Sequence, residues 1–283
     1  MSADPKIITL TPGMMLMGVG VLAPLIMLCV LSFLSRGSYG DVVFEFSFSN
    51  YQRLFDPLLM LPLMRSVFFA FFCSVLALII SLPTCLYVMT LSSRVRQTVM
   101  VFLILPCWVN FLVRTYGWIL ILGEHGVMNN LLRALGMQTQ PLEILFTWKA
   151  VIIGLVYVYV PFMLLPLYSV VEKLDQKLLL AARELGASSW QVFWYVLLPL
   201  LRPGIRTGLI LVAIMSCSDF IVAALLGGSK VSLIGTVIKD QFLSVRDWPF
   251  GAALSLAVIL FLLLVVQVVS RVLLPPLPSE RSA

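Results

Sequence analysis

Charge is scarce in this chain. Only 11% of its 283 residues are Asp, Glu, Lys or Arg, while 61% are hydrophobic; soluble domains run near 25% charged. With a mean hydropathy of +1.06, that composition excludes a soluble globular domain and points to an integral membrane protein. Histidine is almost missing as well. His125 stands alone, with no second imidazole and no nearby cysteine to build a metal site or a Ser–His pair. The five cysteines, Cys29, Cys73, Cys85, Cys107 and Cys217, fall inside apolar runs without a C-x-x-C pair, which argues against zinc and against a disulfide framework. No G-x-x-x-x-G-K-[ST] phosphate loop occurs, since Gly227-Gly228-Ser229-Lys230 has neither the spacing nor a strand before it. G-x-S-x-G and H-E-x-x-H are missing too. No catalytic residue, metal or cofactor is therefore expected in this polypeptide. The net charge of +6 is scattered through loops, a pattern that suits anionic lipid rather than nucleic acid.

What the chain does have is long apolar sequence. A membrane span needs about 20 mostly apolar residues, and six segments qualify, at about 13–34, 64–90, 98–122, 148–171, 204–227 and 250–274. Backbone groups in a bilayer must be satisfied within the segment, so these are expected to be helices; the absence of period-two alternation excludes an outer-membrane barrel. The expected fold is an all-α membrane protein, one transmembrane domain of six helices over 1–283. The first apolar run, Met14 to Phe33, exceeds the roughly 7–15 residues of a signal-peptide core and reads as an uncleaved span. Pro24, Pro83, Pro106, Pro161 and Pro166 are expected to kink their helices. Gly204 and Gly208, four apart, provide a small-residue face for close helix contact.

A polar island at 172–203 interrupts the apolar sequence. Glu172 to Glu184 reads as a helix with an apolar stripe of Leu178, Leu179, Ala181, Ala182 and Leu185. Gly186 is placed to end it in a left-handed conformation, and Ser188-Ser189-Trp190-Gln191 matches a capping box that starts a second helix. That helix is expected to stop at Pro199, with the fifth span beginning near Pro203. Six spans put both termini on one side of the membrane together with this island. Lys and Arg divide ten to nine between the two sides, too evenly to decide. Locally, Arg94 and Arg96 in a tight loop, and Lys173, Lys177, Arg183, Arg202 and Arg206 around the island, favour the cytoplasm for that side.

The island resembles the EAA loop of binding-protein-dependent ABC importer permeases, roughly E-A-A-x-x-x-G-A-x-x-x-x-x-F-x-x-x-x-L-P. Ala181, Ala182, Gly186, Ala187, Phe193, Leu198 and Pro199 match at the right spacing, while Leu180 stands where the family usually has Glu. Further stretches are similar to the polyamine-type (spermidine/putrescine) permeases: Leu105 to Trp118, Gly154 to Tyr157 with Pro161-Phe162-Met163, Glu172 to Asp175, Leu233-Ile234-Gly235, and Arg246 to Gly251. The likeness covers nearly the whole chain. It implies a type I importer permease fold in a bacterial inner membrane. It also implies a second homologous permease, two copies of a cytoplasmic ATPase that holds the ATP and Mg, and a periplasmic substrate-binding protein. Ala181, Ala182, Arg183, Glu184, Gly186, Ala187 and Ser188 would then form the coupling surface for the ATPase.

Asp219 lies in the fifth apolar segment, where an ionised carboxylate costs about 2.5–3.5 kcal/mol on insertion scales. It is expected either to line the path of a cationic substrate or to be held by an internal partner such as Arg114 or a serine. Trp108, Tyr116, Trp118 and Trp248 provide aromatic faces for a cation or interfacial anchors, and Asn110 lies among them. Glu124 and Asp247 are placed in outward loops, open to amines or to the binding protein. Within the same class, the ligand could instead be a γ-aminobutyrate-like amino acid, an opine, thiamine or ferric ion. A secondary transporter would be expected to show inverted repeats and several intramembrane charges; no clear repeat occurs.

Overall fold

The computed structural model describes residues 5–137 and 140–269. In chain order, α1 (Pro5–Ser32) leads into a short hairpin of β1 (Ser35–Arg36) and β2 (Val42–Val43), then α2 (Ser49–Arg53) and α3 (Pro57–Met89). The hairpin pairs Ser35 with Val43 and Arg36 with Val42, antiparallel. α4 (Ser93–Ile104), a 3-10 turn and α5 (Phe111–Leu122) follow, then α6 (Val127–Ala134) and α7 (Trp148–Val171). The polar island carries α8 (Gln176–Glu184) and α9 (Ser189–Gln191), which a π turn joins to α10 (Leu198–Cys217). The chain continues through α11 (Ile221–Gly227), α12 (Ile234–Leu243) and α13 (Trp248–Val268).

Among the described residues, four continuous stretches are long and apolar enough to cross a membrane: Pro57–Met89, Trp148–Val171, Ser189–Cys217 and Trp248–Val268. Two bent pairs, Ser93–Trp108 with Phe111–Ala134 and Ile221–Lys230 with Ile234–Leu243, raise the number to six if each is one span. Three expectations are corrected here. The segment 98–122 is not one straight helix; it bends by 92° around Val109–Asn110, where Asn110 Oδ1 accepts from Leu112 N–H at 2.8 Å and starts a new helix. The fifth span does not run from 204 to 227, because the helix that carries it starts as far back as Ser189 and ends at Cys217. The stretch 228–249, read as a loop, holds the whole of α12. The predicted end of the sixth span at 274, and the chain termini, lie outside the described residues.

The described residues form two compact units, 5–60 with 237–263, and 61–137 and 140–236 with 264–269. The first unit is pinned by polar contacts. Buried Asn50 donates to the carbonyls of Ser32 and Leu34 at 3.0 and 2.8 Å, and the rings of Phe33, Phe46, Phe48 and Tyr51 pack together.

The second unit is built around α7. That helix is apolar all round, which in a packed protein means burial rather than one exposed face; Leu155, Met163, Leu164 and Leu167 are fully enclosed. The Gly204/Gly208 face meets α7 of this same chain. A Cβ on Gly204 would lie 2.9 Å from the Pro166 carbonyl oxygen and 3.2 Å from the Leu167 Cα. Two helix backbones approach this closely only because glycine stands at the crossing.

Candidate functional site

The polar island folds as an elbow. α7 stops at Val171, and Asp175 Oδ1 accepts from Lys177 N–H at 2.9 Å, so the first elbow helix begins at Gln176 rather than at Glu172. Asp175 competes for the first free N–H groups of a new helix, which separates the two helices. At the other end Gly186 takes φ +84. Its N–H donates to Arg183 O at 2.9 Å, and Ala187 N–H donates to Ala182 O at 3.1 Å. This pair of bonds is the Schellman termination. The second helix is entered through a reciprocal box: Ser188 N–H to Gln191 Oε1 at 2.8 Å, and Gln191 N–H to Ser188 Oγ at 3.3 Å.

The expected stop at Pro199 does not occur. A proline inside a helix lacks an N–H and pushes against the carbonyl four residues back. Here the chain widens into a π turn over Val192–Leu197 just before Pro199 and then continues as α10. The second half of the elbow and the following span are therefore one helix of 29 residues, roughly 43 Å long.

The apolar stripe of α8 divides in two. Leu179 packs against the core, while Leu178, Ala181 and Leu185, spaced i, i+3, i+7 on one side, are exposed. Leu185, at the corner, is 90% exposed and Trp190 across the turn is 69% exposed. Arg183, Glu184, Gly186 and Ser188 are exposed as well, with Ala182 and Ala187 half-buried beside them. Leu180, in the position of the family glutamate, is also open to solvent. A convex corner with apolar tips, a polar rim and a short-side-chain middle is suited to seating in a groove of another protein.

Asp219 occupies a break between helices rather than the middle of one. α10 ends at Cys217 and α11 starts at Ile221. The carboxylate is buried, with Oδ2 accepting from the Tyr159 hydroxyl at 2.6 Å and Oδ1 accepting from Val222 N–H at 2.8 Å. Its partner is thus Tyr159 of α7 and not Arg114, whose Nε and Nη1 are enclosed without a hydrogen bond. Gly235 backs the break so closely that a Cβ there would collide with the Ser218 carbonyl. Nothing in the sequence flags Tyr159, which lies 60 residues away in an apolar helix.

The remaining candidates are dispersed. Trp108, at the bend between α4 and α5, is 83% exposed, and Tyr116 on α5 is 54% exposed. Trp118 is half-buried, edge-on to Tyr157 at 5.4 Å. Asn110 is engaged in capping α5, and Glu124 is exposed in the turn before α6.

Asp247, expected in an outward loop open to amines or to the binding protein, is instead enclosed. It is 1% exposed, ion-paired to Arg53 at 2.8 Å, and accepts from Phe250 N–H at 3.1 Å at the start of α13. Arg53 in turn lies 3.9 Å over the Phe250 ring. Trp248 packs edge-on to Phe242 and stays half-exposed. Among the described residues no cluster of His, Cys, Asp and Glu could hold a metal.

Residues 74–276 match the family of binding-protein-dependent transport system inner membrane components. The spermidine/putrescine transport system permease protein PotB of Escherichia coli K12 is 44% identical over 248 residues, covering 87% of this chain and 90% of its own length. PotB of Haemophilus influenzae is 41% identical over 251 residues, covering 89% and 88%. Among solved structures, a bacterial ABC transporter involved in the import of the acidic polysaccharide alginate superposes with a TM-score of 0.70 at 19% identity, over 92% of this chain and 91% of that one. This last likeness bears on the fold alone.

Proposed function

The chain belongs to the binding-protein-dependent transport system inner membrane components, and from that premise we infer that it is the permease subunit of an ATP-driven importer of spermidine, putrescine or closely related cationic amines. The support for the substrate class is the pair of PotB relatives above 40% identity along most of both chains. Transport in such a system needs an energy source, and this chain has no phosphate loop. ATP and Mg are therefore assigned to two copies of a cytoplasmic ATPase. A second homologous permease completes the membrane path, and a periplasmic binding protein delivers the amine. Both termini and the elbow are assigned to the cytoplasm, supported by the basic residues around the elbow and at Arg94 and Arg96.

The observation that carries the mechanism is the exposed corner at Leu178, Ala181, Leu185 and Gly186, followed directly after the turn by the unbroken Ser189–Cys217 helix. Closure of the ATPases would push on that corner. Because the second half of the elbow and the span are one helix, the push would be carried as a rigid tilt to the break at Asp219. There Tyr159 and Val222 hold the carboxylate, so we assign Asp219 to holding the hinge rather than to meeting the amine. Contact with the amine is assigned to the exposed Trp108, Tyr116 and Glu124 of the second unit. An ammonium over an aromatic face gains about 0.5–2 kcal/mol.

The test is uptake by the assembled transporter in proteoliposomes. Labelled spermidine should accumulate only with binding protein outside and hydrolysable ATP inside. Accumulation by this chain alone on an ion gradient would refute the reading. Calorimetry of the binding protein against amines, γ-aminobutyrate, thiamine and ferric ion would separate the substrate assignment from the transport class.

A further inference from the structure

Within the second unit, at the end of α7 away from the elbow, lies a cleft of about 540 Å3. Arg65 and Phe68 of α3 form one side, Phe146 and Trp148 another, and Lys230 closes the third. Hydrogen bonds fix these walls. Ile234 N–H donates to the buried Ser66 Oγ at 2.8 Å, which ties the segment after Lys230 to α3 beside Arg65. Phe146 holds φ +61, and its N–H donates to Leu226 O at 2.9 Å. Gly228, itself at φ +57, leaves room for that ring; a Cβ there would lie 2.9 Å from it. A bulky residue kept at positive φ is strained, so the Phe146 wall is held in place by its surroundings.

The charge in this cleft is of one sign. Arg65 and Lys230 line it together with no carboxylate, and among the described residues neither takes part in an ion pair. A third cation, Lys149, lies 5.8 Å over the Trp148 ring at the rim. The level of the cleft follows from helix lengths. The 24 residues of α7 from Trp148, and α3 from Arg65 onward, each extend roughly 36 Å, slightly more than the about 30 Å hydrocarbon core. The cleft thus falls at headgroup depth, where tryptophan is enriched. From it Phe68 and Phe72, 4.4 Å apart, lead down the exposed side of α3 with Phe71.

We propose that this cleft is a binding site for an anionic phospholipid, its phosphate held by Arg65 and Lys230 and an acyl chain lying along Phe68 and Phe72. The apolar track running from the two cations into hydrocarbon depth favours a lipid over an acidic protein segment, which would have no use for it. The site lies in the leaflet opposite the elbow, and it does not depend on the transported substrate.

Native mass spectrometry of the assembled transporter tests this, after exchange into mixed micelles of phosphatidylglycerol and phosphatidylcholine. Wild type should retain phosphatidylglycerol preferentially. The double variant Arg65→Gln/Lys230→Gln should lose that preference roughly thirty-fold, at about fivefold per surface cation. Arg65→Lys with Lys230→Arg should keep it, which guards against a folding defect. Equal retention of both lipids by wild type, or unchanged preference in the Gln variant, overturns the proposal. So does displacement of the lipid by millimolar inorganic phosphate, which would mark a free-anion site, or an acidic side chain of the second permease seated in the cleft of the assembled complex.

Discussion

Gly186 allows conformation and contact to be separated by substitution. It sits at φ +84 with nothing within 4 Å of the place a Cβ would occupy. Inside this chain a Cβ therefore meets only the left-handed penalty, about 1–2 kcal/mol for an ordinary residue, or roughly a tenfold shift away from the folded turn. Asparagine tolerates that conformation and should lose least. Gly186→Ala and Gly186→Trp should weaken the elbow equally, as read from hydrogen exchange at the Ala187 amide, which is bonded to Ala182 O. In the assembled transporter the two must diverge, because the open space at Gly186 is where the ATPase groove would lie. Binding-protein-stimulated ATPase activity and spermidine uptake in proteoliposomes should fall modestly for Ala, little for Asn, and by well over tenfold for Trp. If Trp behaves like Ala in both assays, no partner occupies that corner and the elbow is not where force enters.

Asp219→Ala would leave the Tyr159 hydroxyl and the Val222 N–H without an acceptor, costing about 3 kcal/mol in thermal unfolding of the complex. Asp219→Asn keeps an acceptor and should cost about 1 kcal/mol, as should Tyr159→Phe. Uptake abolished by Asn in a protein of unchanged stability would restore the carboxylate charge to the transport path. Arg53→Met strands a carboxylate that is 1% exposed and should destabilise by about 2–3 kcal/mol, whereas Asp247→Asn should cost less because it can still cap α13; equal melting shifts would refute the asymmetry. Gly204→Val places a Cβ 2.9 Å from the Pro166 carbonyl and should cost about 1–3 kcal/mol by overpacking, visible as a lower melting temperature with the elbow's exchange pattern unchanged.

Much of the elbow was legible in the residues because its determinants are local. Gly186 as a helix terminator and Ser188 with Gln191 as a capping box each act within a few positions, and the structure contains both. The boundaries of α7 at Trp148 and Val171 are likewise those of an uninterrupted apolar run. Composition and run length also determined that this is a multi-pass helical membrane protein.

Hydropathy could not reveal where spans break. The bend at Asn110 and the gap at Ser218–Phe220 lie inside apolar sequence, and each is stabilised by side-chain bonds to backbone groups that leave the average hydrophobicity untouched. The continuity of α9 into α10 across Pro199 ran against local propensity; a π turn resolved it by shifting the hydrogen-bond register. Tertiary packing alone decided that Asp219 meets Tyr159, that Gly204 faces Pro166, and that Arg53 reaches Asp247 across 194 residues of chain. Burial energy along a segment can be summed from its own residues, but a hydrogen bond or an ion pair needs two groups at a set distance. Only the folded chain brings such partners together.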